Sequence, residues 1–373
     1  MIEHHTHHTG AGALSRPRRV LLATAAVGAA LTLAATGCAR GEDDVAAGNA
    51  AAGDTEGQAQ VLDEAASGGE TCNAQDHGIE PFDLTDKKVG FSQSEAESNP
   101  FRITETQSIK DEAADRGVEL ITSNAQSDFS QQISDVQDLM SQGAEVLIIA
   151  PLNSDGWKPV LDQARAGAIP ILTIDRPING TACEDYVTFI GSDFVEQGRR
   201  AADQMIDVLG GEGEVAILLG APGNNVTTDR TSGFLERIEA EAPGIEIVFQ
   251  QSGDFTREGG QSVTEQLIQS QPDISGIYAQ NDEMGIGAVT ALNGAGKAPG
   301  DVGIVTVDGT QAAVEYIVDG WIAAVVESNP RFGPLAFEAA AAFGAGEDVG
   351  TQLIITDREY DADNAEEELP HAY

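Results

Sequence analysis

The sequence predicts an α/β fold made of two doubly wound parallel-sheet lobes. Two observations carry this. Short, continuous, β-branched runs alternate with amphipathic stretches from Lys88 onward, the pattern of strands covered on both faces by helices. The alternation also restarts near Gly191-Ser192-Asp193, and two sheets of about five strands are ordinary where one of about ten is not.

The first series of strand candidates covers residues 88–92, 118–122, 146–150, 171–174 and 187–190. The second covers 215–219, 245–250, 276–279, 303–307 and 322–326. Between the first two, residues 103–116 set Ile103, Ile109 and Ala113 against Glu105, Lys110, Asp111 and Glu112. Residues 129–141 space Ile133, Val136, Leu139 and Met140 for one helical face. Open α/β sheets bind ligands beyond the carboxyl ends of their strands. Two such sheets facing each other would hold a small molecule in the cleft between them.

The N-terminus speaks to compartment. Arg16, Arg18 and Arg19 precede an uncharged Ala- and Leu-rich run, residues 20–36, which ends in Ala34-Ala35-Thr36-Gly37-Cys38. A basic start, a short apolar core and a small-residue cleavage site make residues 1–37 a secretory signal. The run is shorter than the ~20 apolar residues of a membrane span. Cys38 directly after Gly37 is similar to a bacterial lipobox, with Ala35 where a branched residue is usual. A lipid on Cys38 would then anchor the protein to the outer face of the cell membrane. His4, His5, His7 and His8 lie upstream of the signal and are assigned no function. Residues 38–80 are expected to be a disordered acidic tether, because the stretch to about Gly69 carries almost no aliphatic bulk.

Composition narrows the function. With 20 Lys and Arg against 61 Asp and Glu, the formal net charge is −41. Nucleic-acid binding needs a basic footprint that this chain lacks. Beyond Cys38, two cysteines remain, Cys72 and Cys183. In an oxidising compartment they suit a disulfide, with a pair of separate thiols as the alternative.

Polar groups recur after the apolar runs. Asp175-Arg176 follows 171–174, Asn281 follows 276–279, and Asp308 follows 303–307. Phe101-Arg102 lies beyond the first run and Arg230 beyond the sixth. Singly, an Asp or Asn there is often no more than a helix cap. Together, Asp175, Asn281 and Asp308 supply acceptors for several hydroxyls, and Arg102, Arg176 and Arg230 supply rigid forks of donors. Phe101 and Phe255 add flat apolar faces. A polyol with one hydrophobic face requires those parts.

Motifs over nearly the whole of 88–373 resemble the periplasmic sugar-binding proteins of bacterial ABC importers, of the ribose-binding type and nearest its galactofuranose-binding branch. They are VGFSQ at 89–93, IIAP at 148–151, DGWKPVL at 155–161 and PILTIDR at 170–176. The second half adds DRTSGF at 229–234, QSGDFTR at 251–257, YAQNDEMGIGA at 278–288 and VDG at 307–309. The resemblance implies the type I periplasmic-binding-protein fold, with a hinge of three segments near Ser192, Ser328 and Gln352. One lobe would be 81–191 with 328–352, the other 192–327 with 353–373. It implies sugar contacts from Phe101, Arg102, Asp175, Arg176, Arg230, Asn281 and Asp308, and further ones from Phe255 and Glu327. It implies a monomer that offers a monosaccharide to a membrane ABC permease, with no cofactor and no metal. The loop Glu97-Ser98-Asn99-Pro100-Phe101 departs from the galactofuranose branch, which has a Gly-Trp pair before its Arg. Trp157 is expected to pack at a helix start.

Catalysis has little support in the sequence. There is no G-x-S-x-G elbow, no P-loop and no G-x-G-x-x-G after the first strand. A sugar-responsive regulator would need an N-terminal helix-turn-helix. Transport and presentation of sugar to a membrane receptor share one capture step, and both stay open, as does a sugar-active enzyme at the margin.

Overall fold

The computed structural model describes Ala59 and residues 69–373. The expected signal, the four upstream histidines, Cys38 and the tether up to residue 68, Ala59 apart, lie outside the described residues. In chain order the first elements are β1 (Thr71–Cys72), β2 (Lys88–Gln93), α1 (Pro100–Arg116), β3 (Glu119–Asn124), α2 (Phe129–Ser141), β4 (Val146–Ile149), α3 (Lys158–Ala166), β5 (Ile171–Ile174) and β6 (Thr188–Gly191). There follow α4 (Phe194–Leu209), β7 (Glu212–Leu219), α5 (Asn225–Glu241), β8 (Gly244–Ser252), α6 (Arg257–Ser270), β9 (Gly276–Ala279), α7 (Asp282–Gly294), β10 (Gly303–Asp308), α8 (Gln311–Val318) and β11 (Ala324–Glu327). The last are α9 (Gly333–Ala345), β12 (Val349–Gly350), β13 (Gln352–Ile354), β14 (Glu359–Asp361) and α10 (Ala365–Glu368).

Among the described residues these form two large sheets, in the orders β13-β6-β5-β4-β2-β3 and β14-β11-β10-β9-β7-β8. All pairs in the first are parallel, and in the second only β14 runs antiparallel to its neighbour β11. The first five strands of each sheet follow the doubly wound order 2-1-3-4-5. Its switch point lies between β2 and β4 in one sheet and between β7 and β9 in the other. The central strands are buried end to end, with Val146, Leu147, Ile148 and Ile149 all at zero exposure, as helices on both faces require.

The sixth strand of each sheet, β13 or β14, comes from the end of the chain. The chain passes between the sheets after β6, after β11 and after β13. The third passage lies at residues 355–358, a little beyond Gln352, because β13 pairs with β6 through Ile354↔Gly191.

Residues 71–80, placed in the tether by the sequence, are folded. β1 pairs antiparallel with β12, Cys72 and Ala74 are fully buried, and Cys72 is disulfide-bonded to Cys183. Trp157 is buried, donates from Nε1 to Asn153 O at 2.9 Å and meets Phe129 edge-on. No helix among the described residues is long and apolar enough to cross a membrane.

Candidate ligand-binding site

A cavity lies at the carboxyl ends of both sheets. It is lined by Glu95, Asn99, Phe101, Arg102, Asp175, Arg176, Phe194, Val226, Arg230, Phe255, Asn281, Asp308 and Ser328. Its volume is ≈ 50 Å³, against the ~10–15 Å³ that one water requires by the same measure. The space suits a small polar molecule.

Local structure sets each group. Asn99 caps α1, its side chain accepting from Arg102 N, and Pro100 occupies the first turn, where its missing N–H costs nothing. That places Phe101 and Arg102 at the head of α1, just past β2. Asn281 caps α7 through Oδ1 to Met284 N at 3.0 Å, and its Nδ2 donates to Phe255 O at 3.1 Å. It is both a helix cap and a lining residue. Asp175, Phe255 and Asp308 have φ of 64°, 57° and 140°, a backbone region costly for residues with a Cβ. Such strain collects at ligand sites because surrounding structure must hold it.

The first sheet contributes a buried ionic cluster. Arg102 donates from Nε to Glu95 at 2.7 Å, and from Nη1 to Glu105 at 2.8 Å and Asp175 at 2.7 Å. Arg176 donates from Nη2 to Glu95 at 3.1 Å and from Nη1 to the carbonyls of Pro151 and Leu152 at 3.3 and 3.2 Å. Its Nε lies 3.6 Å from Asp175 Oδ2 and has no hydrogen-bond partner within the protein. Burial pushes Glu95 up, but the charges of Arg102 and Arg176 outweigh it and hold its carboxyl down at about 2. Glu105 lies deeper, and burial raises it to about 7 in spite of Arg102.

The second sheet contributes Arg230 and Asp308, 3.9 Å apart. Arg230 donates from Nη1 to Gln280 O at 2.5 Å and from Nε to Gln197 Oε1 at 2.9 Å. Burial, together with the neighbouring Asp282 charge, raises Asp308 well above the carboxylate range. Asp282 secures the turn after β10, accepting from Gly309 N at 2.9 Å and Thr310 N at 2.7 Å. The guanidinium of Arg102 stands 4.9 Å from the Phe101 ring centroid, and that of Arg230 5.5 Å from the Phe194 ring.

The structure thus gathers Phe101, Arg102, Asp175, Arg176, Arg230, Phe255, Asn281 and Asp308 around one cavity. Glu327 is not among the lining residues. It ends β11 beside Asp308, but its carboxylate accepts from Tyr360 Oη and Arg358 N, each at 3.0 Å, and so ties two passages together. Sequence reasoning missed Glu95, Phe194 and Val226, and it named Asn99 only within the first loop and Ser328 only as a hinge position. Glu95 had a readable signal, an acid shortly after β2 in the loop already singled out. Phe194 opens α4, and its sequence neighbours do not announce a cavity.

Two open sheets with a polar cavity at their carboxyl ends are the architecture of a small-molecule binding protein. The periplasmic binding protein domain family matches residues 89–348, and the chain belongs to it. The ribose import binding protein of Bacillus subtilis (strain 168) is 38% identical over 68% of this chain and 80% of its own length. The galactofuranose-binding protein of Escherichia coli (strain K12) is 36% identical over 75% of this chain and 90% of its own. The binding-protein component of the arabinose ABC transporter from Shewanella sp. ANA-3, bound to α- and β-L-arabinofuranose, superposes with a TM-score of 0.73. It is 36% identical and covers 76% of this chain and 94% of its own. The chain is therefore a sugar-binding periplasmic protein of the ABC-import type, and its relatives are substrate-binding proteins rather than enzymes.

Proposed function

We propose that this protein is an extracytoplasmic lipoprotein, anchored through Cys38, that captures a monosaccharide in the interlobe cavity and delivers it to a membrane ABC permease. The sugar is of the galactofuranose type or another pentose or hexose. The observation that carries the reading is the convergence of arginine and acidic side chains from both sheets, Arg102, Asp175 and Arg176 with Arg230 and Asp308, on a small cavity walled by Phe101, Phe194 and Phe255. The Asp175 carboxyl group and the arginine forks bond ring hydroxyls, and the aromatic faces cover C–H surface. The furanose ligand of the Shewanella relative supports a five-membered ring.

A sugar touching both lobes favours their closed arrangement only through its greater affinity for that arrangement. Closure excludes water and strengthens each charged hydrogen bond. Ser192, Ser328 and residues 355–358 are the hinge in this reading, and a monomer suffices for it.

The test is calorimetric titration of the full secreted protein with galactofuranose, L-arabinose, D-ribose, D-fructose, D-galactose and D-glucose. Tight binding of one sugar without turnover is expected, weakened at least about 100-fold in Asp175→Ala and in Arg230→Ala, as loss of buried charged hydrogen bonds implies. No heat with any sugar, or equal affinity in both variants, refutes the assignment of the cavity.

A further inference from the structure

One buried side chain joins the cavity to the passages between the sheets. Gln197, on the first turn of α4, is 1% exposed. Its Oε1 accepts from Arg230 Nε at 2.9 Å. Its Nε2 donates to Asp357 Oδ2 at 2.8 Å and to Glu327 O at 3.2 Å. Asp357 belongs to the third passage, Glu327 leads into the second, and Ser192 of the first donates to Asp357 Oδ1 at 3.0 Å. One carboxamide therefore holds the cavity arginine by one end and all three passages by the other, directly or through Asp357.

The backbone around this carboxamide has no slack. A Cβ on Gly198 would stand 2.3 Å from Arg230 O, and one on Gly233 1.9 Å from Val195 O. Helices α4 and α5 thus touch main chain to main chain, and Arg230 cannot shift far without Gln197 following. A glutamine is suited to this place. It is neutral, so burial is cheap once both ends are bonded, and it offers an acceptor to the cation and donors to the carboxylate.

We propose that Gln197 is a positioning residue that couples the seating of Arg230 in the cavity to the hydrogen bonds of the three passages. The role deepens the binding function proposed above and rests on that reading. A ligand that re-orients the Arg230 guanidinium then acts on the hinge through a contiguous set of hydrogen bonds with defined ends, the kind of physical connection that coupling requires. Asp357 and Glu327 act through Gln197 and do not themselves meet the sugar.

The coupling is read in the protein without sugar, by amide hydrogen exchange. The reporting amides are Ile355 N, bonded to Gly191 O at 3.0 Å, and Arg358 N, bonded to Glu327 Oε2 at 3.0 Å. Arg230 touches neither. Relative to the β4 amides, which follow global stability, Arg230→Met should speed both about tenfold. Gln197→Leu should do the same, and the double variant should be no faster than either single, since removing both ends of one connection is not additive. If Gln197→Leu does not fold, Gln197→Glu keeps the size and removes the amide donors. Unchanged exchange in Arg230→Met, or multiplied effects in the double variant, overturns the coupling. Absence of sugar binding in the calorimetry above refutes the proposed function instead, and the exchange result stands apart from it.

Discussion

Arg102→Met exposes how the cavity is held together. Arg102 is 2% exposed and carries three carboxylates, Glu95, Glu105 and Asp175, at 2.7–2.8 Å. The depression of Glu95 from 4.5 to about 2 corresponds to ~3 kcal/mol of native-state stabilisation. Arg176 supplies part of it, and the Glu95 side chain is still 22% exposed, so the share lost with Arg102 is about 1–2 kcal/mol. Stranding Asp175 and Glu105 adds to this, and removing one partner of a buried pair costs ~3–5 kcal/mol in general. About 4 kcal/mol is expected at pH 8. In the wild type, Glu95 stabilises above its unfolded value and loses that contribution as pH falls toward about 2. Glu105, raised to about 7, does the reverse: its contribution is complete at low pH and is lost as pH rises through 7. In the variant both carboxyls are raised, so the deficit grows with pH and shrinks to about 1–2 kcal/mol near pH 5, where protons replace the missing cation. Thermal melts followed by circular dichroism should show Tm lowered by roughly 8 °C at pH 8 and roughly 3 °C at pH 5, at ~2 °C per kcal/mol for a domain of this size. An equal loss at both pH values would mean that a packing void, not uncompensated charge, dominates, and would refute the electrostatic account.

Two further outcomes are expected. Asp357 is raised by burial to about 7, so its contribution to stability is present below its unfolded value near 4 and is lost as pH rises through 7; the sugar-free protein should melt higher at pH 5.5 than at pH 8, and Asp357→Asn should raise Tm at pH 8 and flatten that slope in the same melts. The Cys72–Cys183 bridge closes a sequence separation of 111, worth up to ~4–5 kcal/mol by the chain-entropy argument, so the double Ser variant should lose several degrees in Tm while its calorimetric sugar affinity changes less than about twofold.

The regular frame was written locally. The runs at 171–174 and 276–279 became β5 and β9 without a shift, and α2 kept the bounds its apolar spacing gave. Each buries a continuous or periodic apolar set, and that pattern is a property of neighbouring residues. The sixth strands, β13 and β14, were not legible. Three residues each, they are strands only because β6 and β11 offer a free edge, and that edge is distant in sequence. Likewise β1 exists through β12 and the disulfide, which is why residues 71–80 read as tether but fold.

The site divides the same way. Asp175, Arg176, Asn281 and Asp308 could be picked out because doubly wound sheets bind at strand ends and these residues stand there. Sequence could not say that one guanidinium would serve three carboxylates, nor that Glu327 would accept from Tyr360 and Arg358. It could not show that Gln197, in a helix with no sign of function, would reach both Arg230 and Asp357. Spacing along the chain fixes which residues share a strand end or a helix face. Which of them meet, and what burial does to their charges, is decided when segments more than a hundred residues apart close on each other, as Gln197 and Asp357 do at a separation of 160.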